Sequence, residues 1–272
     1  MENGWRRMSV ENCTQQMKFI LPVWDIMFWI TASNEFRILY KQEYMSYDLL
    51  NKLFGGRNEM DELKAFLKSR SVLNLMIVII NILVFFLLDF TGNTENAQFM
   101  AAHGACYAPW VIERGEYYRL FTCMFLHFGI EHLFNNMLSL LFLGDLLEKL
   151  VGKWRYLLIY FAGGVGSSLI SVFWELNFSE PAVSAGASGA IFAVIGALVF
   201  LAVIHRGMIP NVGRRRLYLM AALSVFEGFT TQGVDNAAHV GGFVLGFVLA
   251  AIFVGKMTVK QVPELFEEDS RS

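Results

Sequence analysis

Ser188 sits in the run SAGASGA between Gly186 and Gly189, and His239 follows further along in AHVGG. A serine hydroxyl becomes an effective nucleophile when a neutral imidazole takes its proton, and small flanking residues leave room for a substrate backbone. His132 and Asn136 stand four apart in HLFNN, so on a helix they share one face. With the backbone N–H of Ser188 they could donate to the oxygen that gathers negative charge during acyl transfer. A helix starting at Ser188 would add unpaired N–H groups and the positive end of its dipole. Each residue also has a plainer reading. Serine and glycine let membrane helices pack closely, and a single intramembrane histidine can be a satisfied core residue or part of a proton relay. The coincidence of all four favours chemistry. Asp235, four before His239, could orient it as a third acid does, but a solvated loop carboxylate is the preferred reading. Asn135 adjoins Asn136, and the four-residue spacing selects Asn136.

The elements that must position these residues are apolar. The chain is 55% hydrophobic and 17% charged, with a mean hydropathy of +0.45. This is the profile of an all-α, polytopic membrane protein. A net charge of −2 offers nothing to nucleic acid, and three cysteines (Cys13, Cys106 and Cys123) make no disulfide framework. No signal-peptide pattern opens the chain, and no internal repeat is visible. Six spans are expected, near residues 72–88, 130–147, 154–174, 188–204, 217–229 and 237–254. Lys68, Arg70, Lys149, Lys153, Arg155, Arg206, Arg214, Arg215, Arg216, Lys256 and Lys260 fall in alternate connections, which places both termini in the cytosol. Ser188 and His239 then open their helices at the outer surface, near His132 and Asn136. Residues 1–70 read as a cytosolic or interfacial helical region, 71–255 as the six-helix domain and 256–272 as a polar cytosolic tail.

The motifs resemble those of the rhomboid family of intramembrane serine proteases. GASGA is similar to the family's G-x-S-G nucleophile motif at Ser188, HLFNN to its H-x-x-x-N pattern at His132 and Asn136, and AHVGGFVLG to A-H-x-x-G-x-x-x-G with His239, Gly242 and Gly246. YYRLFT resembles the tryptophan–arginine motif of the first outer loop, with Tyr118 in place of tryptophan and Arg119 retained. Glu148 fits the acidic residue that braces that loop in the family. The resemblance implies a six-helix bundle with a water-filled cavity open to the outside. It implies a Ser188–His239 dyad that hydrolyses peptide bonds in or near transmembrane segments. Gly242 and Gly246 would let the last span approach the helix of Ser188, and Phe192, one turn after Ser188, would stack on His239. The implied partners are membrane-protein substrates, single-span or other, and the lipid bilayer, with no metal, cofactor or nucleic acid. The expected location is a bacterial plasma membrane.

Two other readings compete. His103 with Cys106, and Cys123 with His127, have spacings that could hold zinc, but no HExxH or other activating acid accompanies them. Cys106 and Cys123 could instead form a disulfide in an oxidising compartment, and His127 reads as a cavity-lining or loop-packing residue. A transporter would be expected to show inverted repeats and broken-helix pairs, which are missing. The short, weak fifth span and the polar loop after it, GFTTQGVDN, suggest a lateral gate for substrate.

Overall fold

The computed structural model describes residues 70–204 and 234–255. The expectations for the region before Arg70, for the fifth span and the gate beside it, and for the tail lie outside these residues. The helices are α1 (Val72–Thr91), α2 (Ala97–Ala102), α3 (Ala108–Glu113), α4 (Arg119–Thr122), α5 (Gly129–Ser139), α6 (Asp145–Val151), α7 (Lys153–Phe178), α8 (Ser188–Ile204) and α9 (Asn236–Phe253). A 3-10 turn at Cys123–Phe125 follows α4, and a π-helical turn at Leu140–Gly144 joins α5 to α6. Three helices, α1, α7 and α9, are long and apolar enough to cross a membrane. The expected fourth span, α8, is apolar but has 17 residues, and the expected second is the interrupted α5–α6 run.

Burial sorts the helices. Ala193, Val194, Ala197, Leu198 and Leu201 of α8 are fully or nearly fully buried, so α8 is apolar on every side and lies at the centre. α7 and α9 pack against it. On α9, Val240, Val244, Val248 and Ile252 recur every four residues and are exposed, an apolar stripe suited to lipid. Gly242 and Gly246 lie on the opposite side of the same helix. A Cβ on Gly242 would stand 2.2 Å from the Gly189 carbonyl oxygen, and one on Gly246 would stand 1.9 Å from that of Ala193. Only glycine permits this separation of the two backbones.

The π turn has a local cause. It withdraws the Leu140 carbonyl from the regular helical ladder, and the Asn74 amide of α1 donates to that oxygen at 2.8 Å. The Asn74 side-chain oxygen takes the Tyr156 hydroxyl of α7 at 2.6 Å. Gly144 makes room, since a Cβ there would lie 2.1 Å from the same oxygen. Asp145, fully buried, is held by the Ser71 N–H at 2.7 Å, Arg70 at 3.3 Å and Lys149 at 2.8 Å.

The stretch between α1 and α5 reads in the sequence as a long polar connection, yet it is folded. Its strand β1 (Cys106–Tyr107) pairs antiparallel with β2 (Val183–Ser184), with Cys106 opposite Ser184. That two-residue ladder ties the stretch to the chain just ahead of Ser188.

Candidate active site

Ser188 is the first residue of α8, and the residue before it is an alanine, whose side chain cannot cap the helix. The Ile191 N–H bonds the Ala187 carbonyl at 2.9 Å, which begins the helical ladder. The N–H groups of Ser188, Gly189 and Ala190 therefore have no partner within the helix, and its positive end faces the hydroxyl. Gly186 enters this turn at φ +138°, a region that favours glycine. A Cβ there would stand 2.7 Å from His132 Cε1, 2.9 Å from His132 Nε2 and 3.7 Å from Ser188 Oγ. The His132 ring and the Ser188 hydroxyl thus flank one point beside Gly186. Gly189 differs in its reason: a Cβ there would strike the Ser167 hydroxyl of α7, so it admits a neighbouring helix rather than a substrate.

His239 lies in the first turn of α9, and its Nε2 is 2.9 Å from Ser188 Oγ. Phe192 stacks on the imidazole, with ring centroids 4.2 Å apart and an interplanar angle of 17°. Among the described residues His239 Nδ1 has no hydrogen-bond partner. Asp235 does not reach it. Its Oδ1 instead accepts from the Ala238 N–H at 2.9 Å, the N-cap of α9, and its Oδ2 accepts from the Ser171 hydroxyl of α7. The preferred reading of Asp235 as a solvated loop carboxylate is therefore replaced: it caps the helix that carries His239 and anchors it to α7.

Asn136 is buried one turn after His132, and its amide donates to the His132 carbonyl at 2.8 Å. The second amide hydrogen remains for another acceptor. Two supporting residues lie elsewhere. Arg119, 3% exposed, donates to the Ala101 and Ala105 carbonyls and to Glu116. Glu148 does not brace that loop. It accepts from the Leu73 and Asn74 N–H groups at 3.4 and 2.7 Å and so caps α1. The physical reason is distance, since Glu148 stands near the far end of the α5–α6 run, about 28 Å from Gly129 at 1.5 Å per residue. The acid that meets Arg119 is Glu116, whose carboxyl the guanidinium holds below its ordinary range.

Trp110 belongs to none of the sequence motifs. Arg119 lies over its ring at 4.6 Å, so α3 supplies a tryptophan against the arginine although Tyr118 occupies the motif position. Tyr118 is exposed and donates to Glu116. His103 is exposed, with Nδ1 2.7 Å from the Phe99 carbonyl. Cys106 and Cys123 are free and buried, and a hydrogen bond to Cys123, with burial, pushes the Cys106 thiol up. Among the described residues no three His, Cys, Asp or Glu side chains are grouped to hold a metal ion. His127, expected to line the cavity or pack the loop, is 1% exposed and accepts from the Ala187 N–H. Its five-residue offset from His132 follows no helical face, which hid the connection.

Residues 114–256 match the family described as Rhomboid domain. The chain is 35% identical over 190 residues to a protein of Bacillus subtilis (strain 168) named rhomboid protease GluP, a match covering 70% of this chain and 36% of that one. It is 37% identical over 153 residues to RHOMBOID-like protein 1 of Arabidopsis thaliana, covering 56% and 38%. Against rhomboid protease AarA of Providencia stuartii it is 31% identical over 161 residues, covering 52% and 57%. The chain thus spans well under two thirds of the length of these relatives. With three helices long and apolar enough to cross a bilayer, it is an integral membrane protein and belongs to the rhomboid family.

Proposed function

We propose that the chain is an intramembrane serine endopeptidase that cleaves transmembrane or membrane-proximal segments of other membrane proteins. The observation that carries this reading is the 2.9 Å approach of His239 Nε2 to Ser188 Oγ under the stacked ring of Phe192. The names of the relatives GluP and AarA, both rhomboid proteases, support the same class. In the proposed reaction Ser188 Oγ attacks the scissile carbonyl carbon while His239 Nε2 accepts the hydroxyl proton. The unprotonated Nε2 requires the imidazole proton on Nδ1. The oxyanion of the tetrahedral intermediate is met by the Ser188 N–H, His132 and Asn136. Collapse expels the amine, which takes the proton from His239 and leaves an acyl-enzyme. Water then attacks that ester, with His239 as base, and frees Ser188. Asp235 caps the helix and makes no hydrogen bond to the imidazole, which supports a dyad rather than a triad.

The proposed setting is a six-span bundle, with both termini cytosolic and the site open to the outer side. The residues from 71 to 255 form the protease unit, and the substrate enters laterally from lipid. Ser188→Ala and His239→Ala should each abolish cleavage of a single-span substrate in proteoliposomes while leaving an inserted, folded protein. Nucleophile and base act as a unit, so losing either removes nearly all covalent catalysis. Turnover near the unmodified rate in either variant would overturn the assignment. His132→Ala with Asn136→Ala should slow cleavage less completely, because the backbone donor remains.

A further inference from the structure

The loop ahead of Ser188 is held by a short piece of chain that the proposed reaction does not use. The Gly186 N–H donates to the Cys123 carbonyl at 2.9 Å. The next N–H, that of Ala187, donates to His127 Nε2 at 3.3 Å. Both acceptors lie between α4 and α5, on the 3-10 turn and the connector after it, where Leu126 is extended at φ −99°, ψ 145°. Consecutive residues of the nucleophile turn are therefore fastened to one small element, the second through a side chain.

His127 also touches the other side of the site. Its ring stands edge-on to that of His132, with centroids 5.2 Å apart and an interplanar angle of 72°. His132 in turn fills the space beside Gly186 and Ser188. One buried imidazole thus sets the position of the turn that presents Ser188 and supports the ring of an oxyanion donor.

We propose that His127 is a positioning residue for the nucleophile turn. It acts as an obligatory hydrogen-bond acceptor for the Ala187 N–H and as the support of His132. This inference rests on the Ser188–His239 reading. The bond has two consequences. An Nε2 that accepts must be unprotonated, so the ring is held with its proton on Nδ1. The Ala187 N–H is committed to His127, which leaves the Ser188 N–H as the backbone donor for the oxyanion. Without the acceptor, the buried Ala187 N–H would be left unpaired, a penalty that the turn can relieve only by shifting. The turn would then rotate and Ser188 Oγ would leave its 2.9 Å contact with His239. A misplacement on the order of 1 Å at reacting atoms costs about 100-fold in rate.

The test compares His127→Leu, which removes the acceptor, with His127→Gln, whose side-chain oxygen can stand where Nε2 stood. A third protein carries lactic acid in place of Ala187, introduced by nonsense suppression, so that an ester replaces the N–H and every side chain is kept. Cleavage of a single-span substrate supplies kcat and KM, and a fluorophosphonate probe reports Ser188 nucleophilicity without a substrate helix. His127→Leu should lower kcat and the labelling rate about 10- to 100-fold with KM within threefold, and His127→Gln should recover most of that loss. The ester should reproduce the loss, and adding His127→Leu to it should cost little more. Equal rates in the leucine and glutamine proteins would overturn the proposal. So would full activity in the ester protein, which decides the matter alone should His127→Leu not fold. If the unmodified protein fails to label at Ser188, the dyad reading itself falls and this inference with it. Labelling that is normal in both the unmodified protein and His127→Leu sinks only the positioning role.

Discussion

Replacing Gly242 by alanine sets two local effects against each other. Intrinsic helix propensity favours the change, because alanine is better than glycine in a helix interior by about 1 kcal/mol. Packing opposes it. The new Cβ would lie 2.2 Å from the Gly189 carbonyl oxygen, whereas ordinary contact begins near 3.4 Å. That oxygen belongs to backbone one residue after Ser188 and cannot swing aside as a side-chain tip can. α8 and α9 must therefore part locally by about 1.2 Å, or the turn at Ser188 must shift by as much. Ser188 and His239 sit on these two helices at the same level, 2.9 Å apart. A separation of that size carries the pair to about 4 Å, past the hydrogen-bonding range. General-base assistance is worth about 100- to 10,000-fold. Gly242→Ala should lower kcat at least ~100-fold, while the helix content of the purified protein in detergent stays unchanged. The control is Gly241→Ala on the same helix, where the new Cβ would meet Ile170 of α7 at its Cδ1, Cγ2 and Cβ, 2.8, 2.9 and 3.0 Å away, and so presses on α7 rather than on the backbone beside Ser188. That variant should keep its rate within threefold or so. The comparison uses single-turnover cleavage of a transmembrane substrate in proteoliposomes. If Gly242→Ala cleaves within threefold of the unmodified rate, the close approach of α8 and α9 does not set the dyad distance and the reasoning fails.

Asp235→Ala should destabilise the protein by about 1–3 kcal/mol through loss of the α9 cap and the Ser171 bond, with Asp235→Asn recovering the cap share. Thermal unfolding in detergent checks this, and an unchanged midpoint in the alanine protein would contradict the anchoring role. Arg119→Ala should cost about 2–5 kcal/mol, because the Ala101 and Ala105 carbonyls lose their donor in a buried place. Arg119→Lys should recover only part, since ammonium cannot reproduce the flat fork; equal stability of both variants with the unmodified protein would refute it. Glu116 has a carboxyl held low in the fold by Arg119, so its contribution is present above the unfolded value and is lost as pH falls through the folded one. Glu116→Gln should flatten that acid limb of the stability profile, and an unaltered limb would count against the pairing. Cys106 and Cys123 should resist maleimide at neutral pH in the folded protein and react once it is unfolded, because both thiols are buried and that of Cys106 is pushed up. Prompt labelling by mass spectrometry without unfolding would show that the β1 region opens.

The catalytic candidates were legible because chemistry restricts residue type and the membrane restricts depth. A serine among glycines, a histidine opening a later apolar run and a four-residue His–Asn spacing are read without knowing any contact. The bounds of α8 and, nearly, of α9 followed from apolar run length. Gly242 and Gly246 came from the family resemblance, with which their four-residue spacing agrees. Glu148 misled because its role came from the family resemblance alone, while its actual partners, the Leu73 and Asn74 N–H groups of α1, stand far from the loop of Arg119.

What the sequence determined by itself is therefore the inventory: an apolar helical chain and the residue types that meet at the candidate site, dictated by local composition and periodicity. What only the tertiary structure decided is the partnership among them. Asp235 caps a helix rather than orienting an imidazole. Trp110 meets Arg119 from a different helix, and a two-residue ladder joins Cys106 to Ser184, far along the chain. His127 holds the Ala187 N–H from 60 residues away. Hydrogen bonds of this kind are directional and short in range, so they depend on where the backbone has been carried by packing, and no periodicity along the chain records it.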